Sequence, residues 1–177
     1  MNHTPHELTD SLFALGISRE LELETTATRK CIERFQMDLF DYKPHEKSMQ
    51  MGYLTLICAE IPLWIVYMIN EQEIDLATFE HLHPKTTEEI VAHFTENVQQ
   101  AKAALAGVTD GSLSAQFALK NNGQVVYTAS KRENIESAIN HMVHHRGQLS
   151  VYLRLNDIAV PSLYGPSADE KGPWESR

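Results

Sequence analysis

The sequence predicts an all-α domain built as a four-helix bundle. Three observations carry the prediction. Apolar residues recur at helical spacing in four separate stretches. Capping or turn residues bound those stretches. The connection between the second and third stretches, Glu71 to Lys85, is long enough for a crossover rather than a tight hairpin. All 177 residues fit one domain, with an irregular tail from about residue 158.

The first stretch opens at Thr4-Pro5, an N-cap followed by proline at the first helical position, and runs to about Leu39. Gly16 divides it, and Ser18 caps the second part, whose apolar positions include Leu21, Cys31, Ile32 and Phe35. The segment from Asp41 to Pro44 ends it. Ser48 caps the second stretch, which runs to about Asn70 with Leu54, Ile57, Cys58, Ile61, Met68 and Ile69 among its apolar positions. Pro62 lies inside it. Proline has no N–H to give the Cys58 carbonyl, so a kink is expected and the freed carbonyl needs a partner. Thr86 and Glu89 have capping-box spacing and open the third helix, which ends at Gly107. Val108 to Ala129 reads as irregular, with Asn121-Asn122-Gly123 a turn and Val125, Val126 and Tyr127 a short extended piece. Ser130 caps the fourth helix, from about Lys131 to Asn156. Pro161, Pro166 and Pro173 keep the remainder from forming a long helix.

Hydrophobic residues make up 42% and charged residues 22% of the chain, which is globular rather than disordered composition. The net charge of −9, with no run of Lys and Arg, argues against nucleic acid and anionic membranes as partners. Met51 to Asn70 is apolar enough to suggest a membrane span, but it holds Glu60 and Pro62. A carboxylate at mid-bilayer is costly, so a buried core helix is expected. Cys31 and Cys58 fall in apolar-periodic stretches and are expected to pack as small hydrophobes. Two cysteines make no disulfide framework, and no signal-peptide pattern opens the chain, so the expected compartment is the cytoplasm. Without a Gly-rich phosphate loop, a G-x-S-x-G elbow or a CxxC pair, nucleotide, serine-hydrolase and thiol-redox chemistry lack support.

The fourth helix carries the candidate site. Residues four apart on a helix lie one above the other, so His141 and His145 share a face and can both ligate one metal ion. Ile135, Ala138, Met142, Leu149 and Leu153 cluster into one apolar arc of that helix. His145 falls at the edge of the arc, nearer its centre than His141, while His144 should face solvent or a partner. Nine histidines placed at random in 177 positions give roughly 0.4 such pairs, so spacing alone equally describes two helix histidines held by hydrogen bonds or water. Two ligands also fall short of the three or four that a zinc site takes from protein.

The local wording is more specific. The run from Asn140 to Leu149, NHMVHHRGQL, continuing as Ser150-Val151-Tyr152-Leu153-Arg154, resembles the last-helix signature of the DinB family. Lys43 to Met49 and Ala59-Glu60-Ile61-Pro62-Leu63-Trp64 resemble that family's approach to its second helix, and the tail from Val160 to Glu170 resembles one bacterial branch. The resemblance implies an up-down-down-up four-helix bundle, a cytoplasmic homodimer, and a divalent metal, often nickel or zinc, held by three histidines. Two of these match His141 and His145. Characterised relatives include small-thiol-dependent transferases and isomerases, and others are described as metal-dependent hydrolases. The resemblance does not imply DNA binding.

The chain departs from the pattern at one position. The second-helix histidine aligns with Ile57, which cannot ligate a metal. Three outcomes remain open. Cys58, Glu60, His45, His81 or His83 replaces it; two histidines and waters hold a metal weakly; or the metal is lost and the cavity kept. The expected function divides accordingly between a metal-dependent enzyme of small-thiol transferase or hydrolase type and a non-catalytic dimeric bundle that binds a small ligand or partner. Arg146, near the apolar arc, is expected to form an ion pair with Glu60 or an acid of the first helix (Glu20, Glu22, Glu24), or else to clamp a substrate carboxylate. His45 is expected in a loop or capping contact, His81 and His83 in solvent, and Tyr152 in the core with its hydroxyl bonded.

Overall fold

The computed structural model describes residues 11–172. Helix α1 spans Leu12–Ile32, and the hydroxyl of Ser11 caps it by accepting the Ala14 amide. Thr4 and Pro5 lie outside the described residues. Gly16 does not divide the helix. It is exposed, and its propensity cost of about 1 kcal/mol is small beside the burial of Ala14, Ile17 and Leu21 around it. Ser18 is therefore a residue of the helix interior rather than a cap. The helix also stops short of Leu39; Met37–Leu39 is a separate 3-10 turn.

Helix α2 spans Met51–Asn70. Ser48 does not cap it, because the preceding loop already does so. The Met51 amide donates to the Tyr42 carbonyl and the Gly52 amide to the Phe40 carbonyl, each at 2.9 Å. Gly52 lies against the Phe40 ring so closely that a Cβ there would collide with it. The helix continues through Pro62. One turn back, the buried Asn97 amide donates to the Ala59 carbonyl at 3.0 Å, beside the carbonyl that Pro62 leaves free. Helix α2 is long and apolar enough to cross a membrane, but it is mostly buried inside the fold. It packs on α3 (Thr87–Ala106) and α5 (Lys131–Leu155), and α1 packs on the same two helices. Leu21, Ile32, Ile61, Ile65, Phe94 and Met142 are among the residues of the shared core.

The all-α expectation is corrected by a three-stranded sheet. Strand β1 (Glu73–Asp75) runs parallel to β2 (Gln116–Asn121), which pairs antiparallel with β3 (Gln124–Ser130). The expected turn joins β2 to β3, with φ of 51° at Asn122 and 76° at Gly123, as a type I′ hairpin requires. The Asp75 carboxylate accepts the amides of both turn residues and so ties β1 to the hairpin. The Ala77 amide first, and then the amides of Gly123 and Asn122, hold its carboxyl below the usual range. Beyond that turn and the extended piece at Val125 to Tyr127, the sheet escapes a sequence reading because it buries little beyond Ile74 and Phe117, leaving no long apolar alternation.

Thr86 caps α3 as expected, but the Glu89 carboxylate turns to the Lys85 amide and leaves the box half made. A single turn, α4 (Asp110–Leu113), precedes the sheet. Ser130 and Glu133 form a complete capping box on α5. Over its described residues, 158–172, the tail is irregular, as expected. Two consecutive carboxylates fasten it. Asp169 binds Arg154 and the Val160 amide, and Glu170 binds Arg34 and the Ser162 amide.

Candidate functional site

Helix α5 starts at a fixed point, the Ser130–Glu133 box, and its apolar arc faces the core: Ile135, Met142, Leu149 and Leu153 are all fully buried. That rotation fixes the histidines. His145 is buried at 7% exposure, His141 is half-buried and His144 is exposed. The Nε2 atoms of His141 and His145 meet at 2.6 Å. Nδ1 of His145 lies 2.8 Å from Oε1 of Gln148. A carbonyl oxygen accepts, so this nitrogen carries its hydrogen and Nε2 of His145 presents a lone pair, to which His141 Nε2–H donates. Burial pushes the pKa of both rings below that of an ordinary histidine. Next, the charges of His145 and His144 lower that of His141. For His145, the His144 charge lowers it while the Gln148 bond works against the shift. Across from the pair stands Trp64 of α2, its ring 6.1 Å from that of His141.

The third position holds no ligand. Ile57 is 5% exposed and belongs to the core. None of the replacements stands ready. Cys58 is fully buried, and burial, then Cys31, drives its thiol far above the ordinary range, away from the thiolate a metal needs. Cys31 is likewise pushed up to about 11 by burial. His45 accepts the Lys47 amide in an exposed loop, as expected, and His83 is exposed. Glu60 and His81 are bound to each other. Among the described residues, no group of three or more His, Cys, Asp or Glu is placed to hold a metal ion. The donor set is thus two imidazoles, and it does not fit a three-histidine centre. Their nitrogens, 2.6 Å apart, are also closer than the roughly 3.3 Å set by two zinc bonds at a tetrahedral angle.

A second cluster lies on the same helix as Trp64. Glu60 is fully buried in α2. Its Oε2 meets Nδ1 of His81 at 2.5 Å, and its Oε1 accepts the Leu82 amide at 2.9 Å. Nε2 of His93, on α3, lies 3.8 Å from the same Oε1. The expectation that His81 is solvated is therefore corrected: a carboxylate inside an apolar helix demands a partner, and His81 supplies it. The sequence shows the demand at Glu60 but not which loop histidine answers it, and nothing in its pattern singles out His93.

Arg146 resolves to a structural ion pair. Its guanidinium, 1% exposed, binds the Glu24 carboxylate at 2.5 Å, Thr28 Oγ1 at 3.2 Å and the Tyr164 hydroxyl, joining α5, α1 and the tail. Tyr152 packs in the core with its hydroxyl on the Met49 carbonyl, as expected.

Comparison with known proteins agrees with this architecture. No curated protein matches the chain. Solved structures of DinB-like proteins share its fold. A DinB-like protein of Bacillus subtilis superposes with a TM-score of 0.62 at 18% identity, over 88% of this chain and 99% of that one. One from Bacillus cereus superposes with a TM-score of 0.62 at 18% identity, over 89% and 100%. The sequence profile of the DinB family matches residues 13–175. With that match spanning both the bundle and its fastened tail, the chain belongs to the DinB family.

Proposed function

We propose that this protein is a DinB-fold small-molecule-binding protein in which the family's metal centre is reduced to a hydrogen-bonded pair of imidazoles. One observation carries the reading. The nitrogens that would converge on an ion converge on each other at 2.6 Å, and the position expected to complete the set is a core isoleucine. A zinc site needs three or four protein ligands, and two neutral imidazoles fall short of that. The bundle is read as up-down-down-up, the assembly as a homodimer and the compartment as the cytoplasm.

A second reading is favoured by a separate observation. Gln148 holds Nδ1–H of His145, the outer contact that metal-bound histidines ordinarily make. In that reading His141 and His145 hold a nickel or zinc ion in a metal-assisted enzyme of small-thiol transferase or hydrolase type. The ion would supply acidity to a bound thiol or water. Metal analysis of the purified protein after reloading separates the two. Less than about a tenth of an equivalent supports the reduced site, and near one equivalent supports the enzyme.

A further inference from the structure

Helix α1 carries apolar residues on two opposite faces. Its inner face, with Ala14, Ile17, Leu21 and Thr28, is buried in the bundle. The outer face of such a helix is ordinarily polar, yet Leu12, Leu15 and Leu23 stand there at 82%, 52% and 70% exposure. At about 100° per residue, these leucines and Arg19 fall in one stripe roughly 80° wide, on the side opposite Leu21. A groove flanks the stripe at each end. One, of about 100 Å³, lies beside α3 between Leu15 and the pair Lys102 and Leu105. The other, of about 220 Å³, lies beside the tail between Leu23 and Leu163. A helix laid obliquely across α1 enters both grooves. The charges along the stripe balance. Arg19 is exposed at its middle, and Glu22 is exposed at its border, 3.3 Å from Lys102. Between them and Leu12, Gly16 leaves open space, with no atom within 4 Å of where a Cβ would stand.

We infer that this outer face of α1 is where two copies of the chain meet, with the two helices antiparallel about a two-fold axis at Arg19. A two-fold axis sets residue i of one copy against j of the other, and j against i. With Arg19 at the axis, Leu23 of the second copy covers Leu15 and its groove. Leu15 of the second copy covers Leu23 and its groove in the same way. Glu22 of the second copy comes over the open space at Gly16, one turn from Arg19, so two reciprocal Arg19–Glu22 pairs form. This self-complementarity is what selects a second copy as the occupant. The chain carries a net charge of −9, so two copies repel unless they meet on a face whose charges cancel. Strand β3 also exposes Val125, Val126 and Tyr127, but it holds no charged residue that would fix a register. The inference rests on the homodimer reading and names its face; it is independent of whether His141 and His145 hold a metal.

Sedimentation of the full chain at micromolar concentration tests the face. The wild-type protein is expected at twice 20.1 kDa. Leu15→Glu and Leu23→Glu are each expected to weaken the dimer by at least roughly tenfold. Both side chains are exposed, so the monomer is expected to keep its helical circular dichroism. Val126→Glu, on the other exposed apolar surface, is expected to leave the dimer intact. A charge exchange tests the register without removing apolar area. Arg19→Glu is expected to weaken the dimer, and Glu22→Arg added to it to restore it. A dimer that survives both leucine variants overturns the face and leaves the homodimer reading standing, as does a dimer lost in Val126→Glu but kept in Leu23→Glu. Failure of Glu22→Arg to restore the Arg19→Glu dimer overturns the antiparallel register. A wild-type monomer overturns the face and the homodimer reading together.

Discussion

At the scale of single residues, one side chain decides the character of the site. His141 and His145 keep the spacing, the inward face and the Gln148 contact, while Ile57 removes the third donor. Restoring that donor is the direct probe. Ile57→His is expected to raise zinc affinity by more than roughly tenfold, about 1.4 kcal/mol, and His145→Ala in the same background to abolish the gain. Calorimetric titration with zinc measures both. The pair also predicts a pH dependence. Burial lowers both histidine pKa values below the unfolded value of about 6.5, so the unfolded chain binds protons that the folded one does not. Stability from this source is complete above that value and falls as the pH drops through it. Denaturant unfolding between about pH 7 and pH 5 is expected to show a loss of stability that His141→Gln/His145→Gln reduces. The histidine face is legible in the sequence because helical spacing fixes direction, and the Ile57 departure because the resemblance to the DinB family implies a histidine at that position of the second helix. The Glu60–His81 contact is not, because a loop of undetermined path brings its partner from 21 residues away.

At the scale of elements, the helices were readable wherever an end is marked by a side chain. Ser130 with Glu133, and Thr86 with the Glu89 amide, cap α5 and α3 where the residue types place them. The α2 end at Asn70 stands where the sequence places it, while the division at Gly16 and the cap at Ser48 fail for a common reason. A glycine at an exposed helix position looks like a break, and a serine near a start looks like a cap, when burial and loop carbonyls decide instead. The sheet was visible only at its turn and in part of β3. Gly52 shows how closely the loop is fitted to α2. Replacing it by alanine drives a methyl group into the Phe40 ring, and Gly52→Ala is expected to cost about 1–3 kcal/mol in denaturant unfolding. An unchanged midpoint would mean that the ring moves aside freely.

At the scale of the whole molecule, four long helices and a small sheet share one core, and an irregular tail is tied back across α1 and α5 by Asp169, Glu170 and Tyr164. Tail irregularity follows from its prolines, but the carboxylate clasps depend on arginines far away in sequence. The proposed homodimer is tested by sedimentation at micromolar concentration. Twice the 20.1 kDa chain mass is expected, and a monomer contradicts it. The proposed reduced site has His141 and His145 bonded to each other with no metal between them. Elemental analysis of the purified protein, after reloading with nickel or zinc and removal of excess, tests it most directly. Less than about a tenth of an equivalent per chain is expected, and close to one equivalent, lost in His145→Ala, overturns the reduced site.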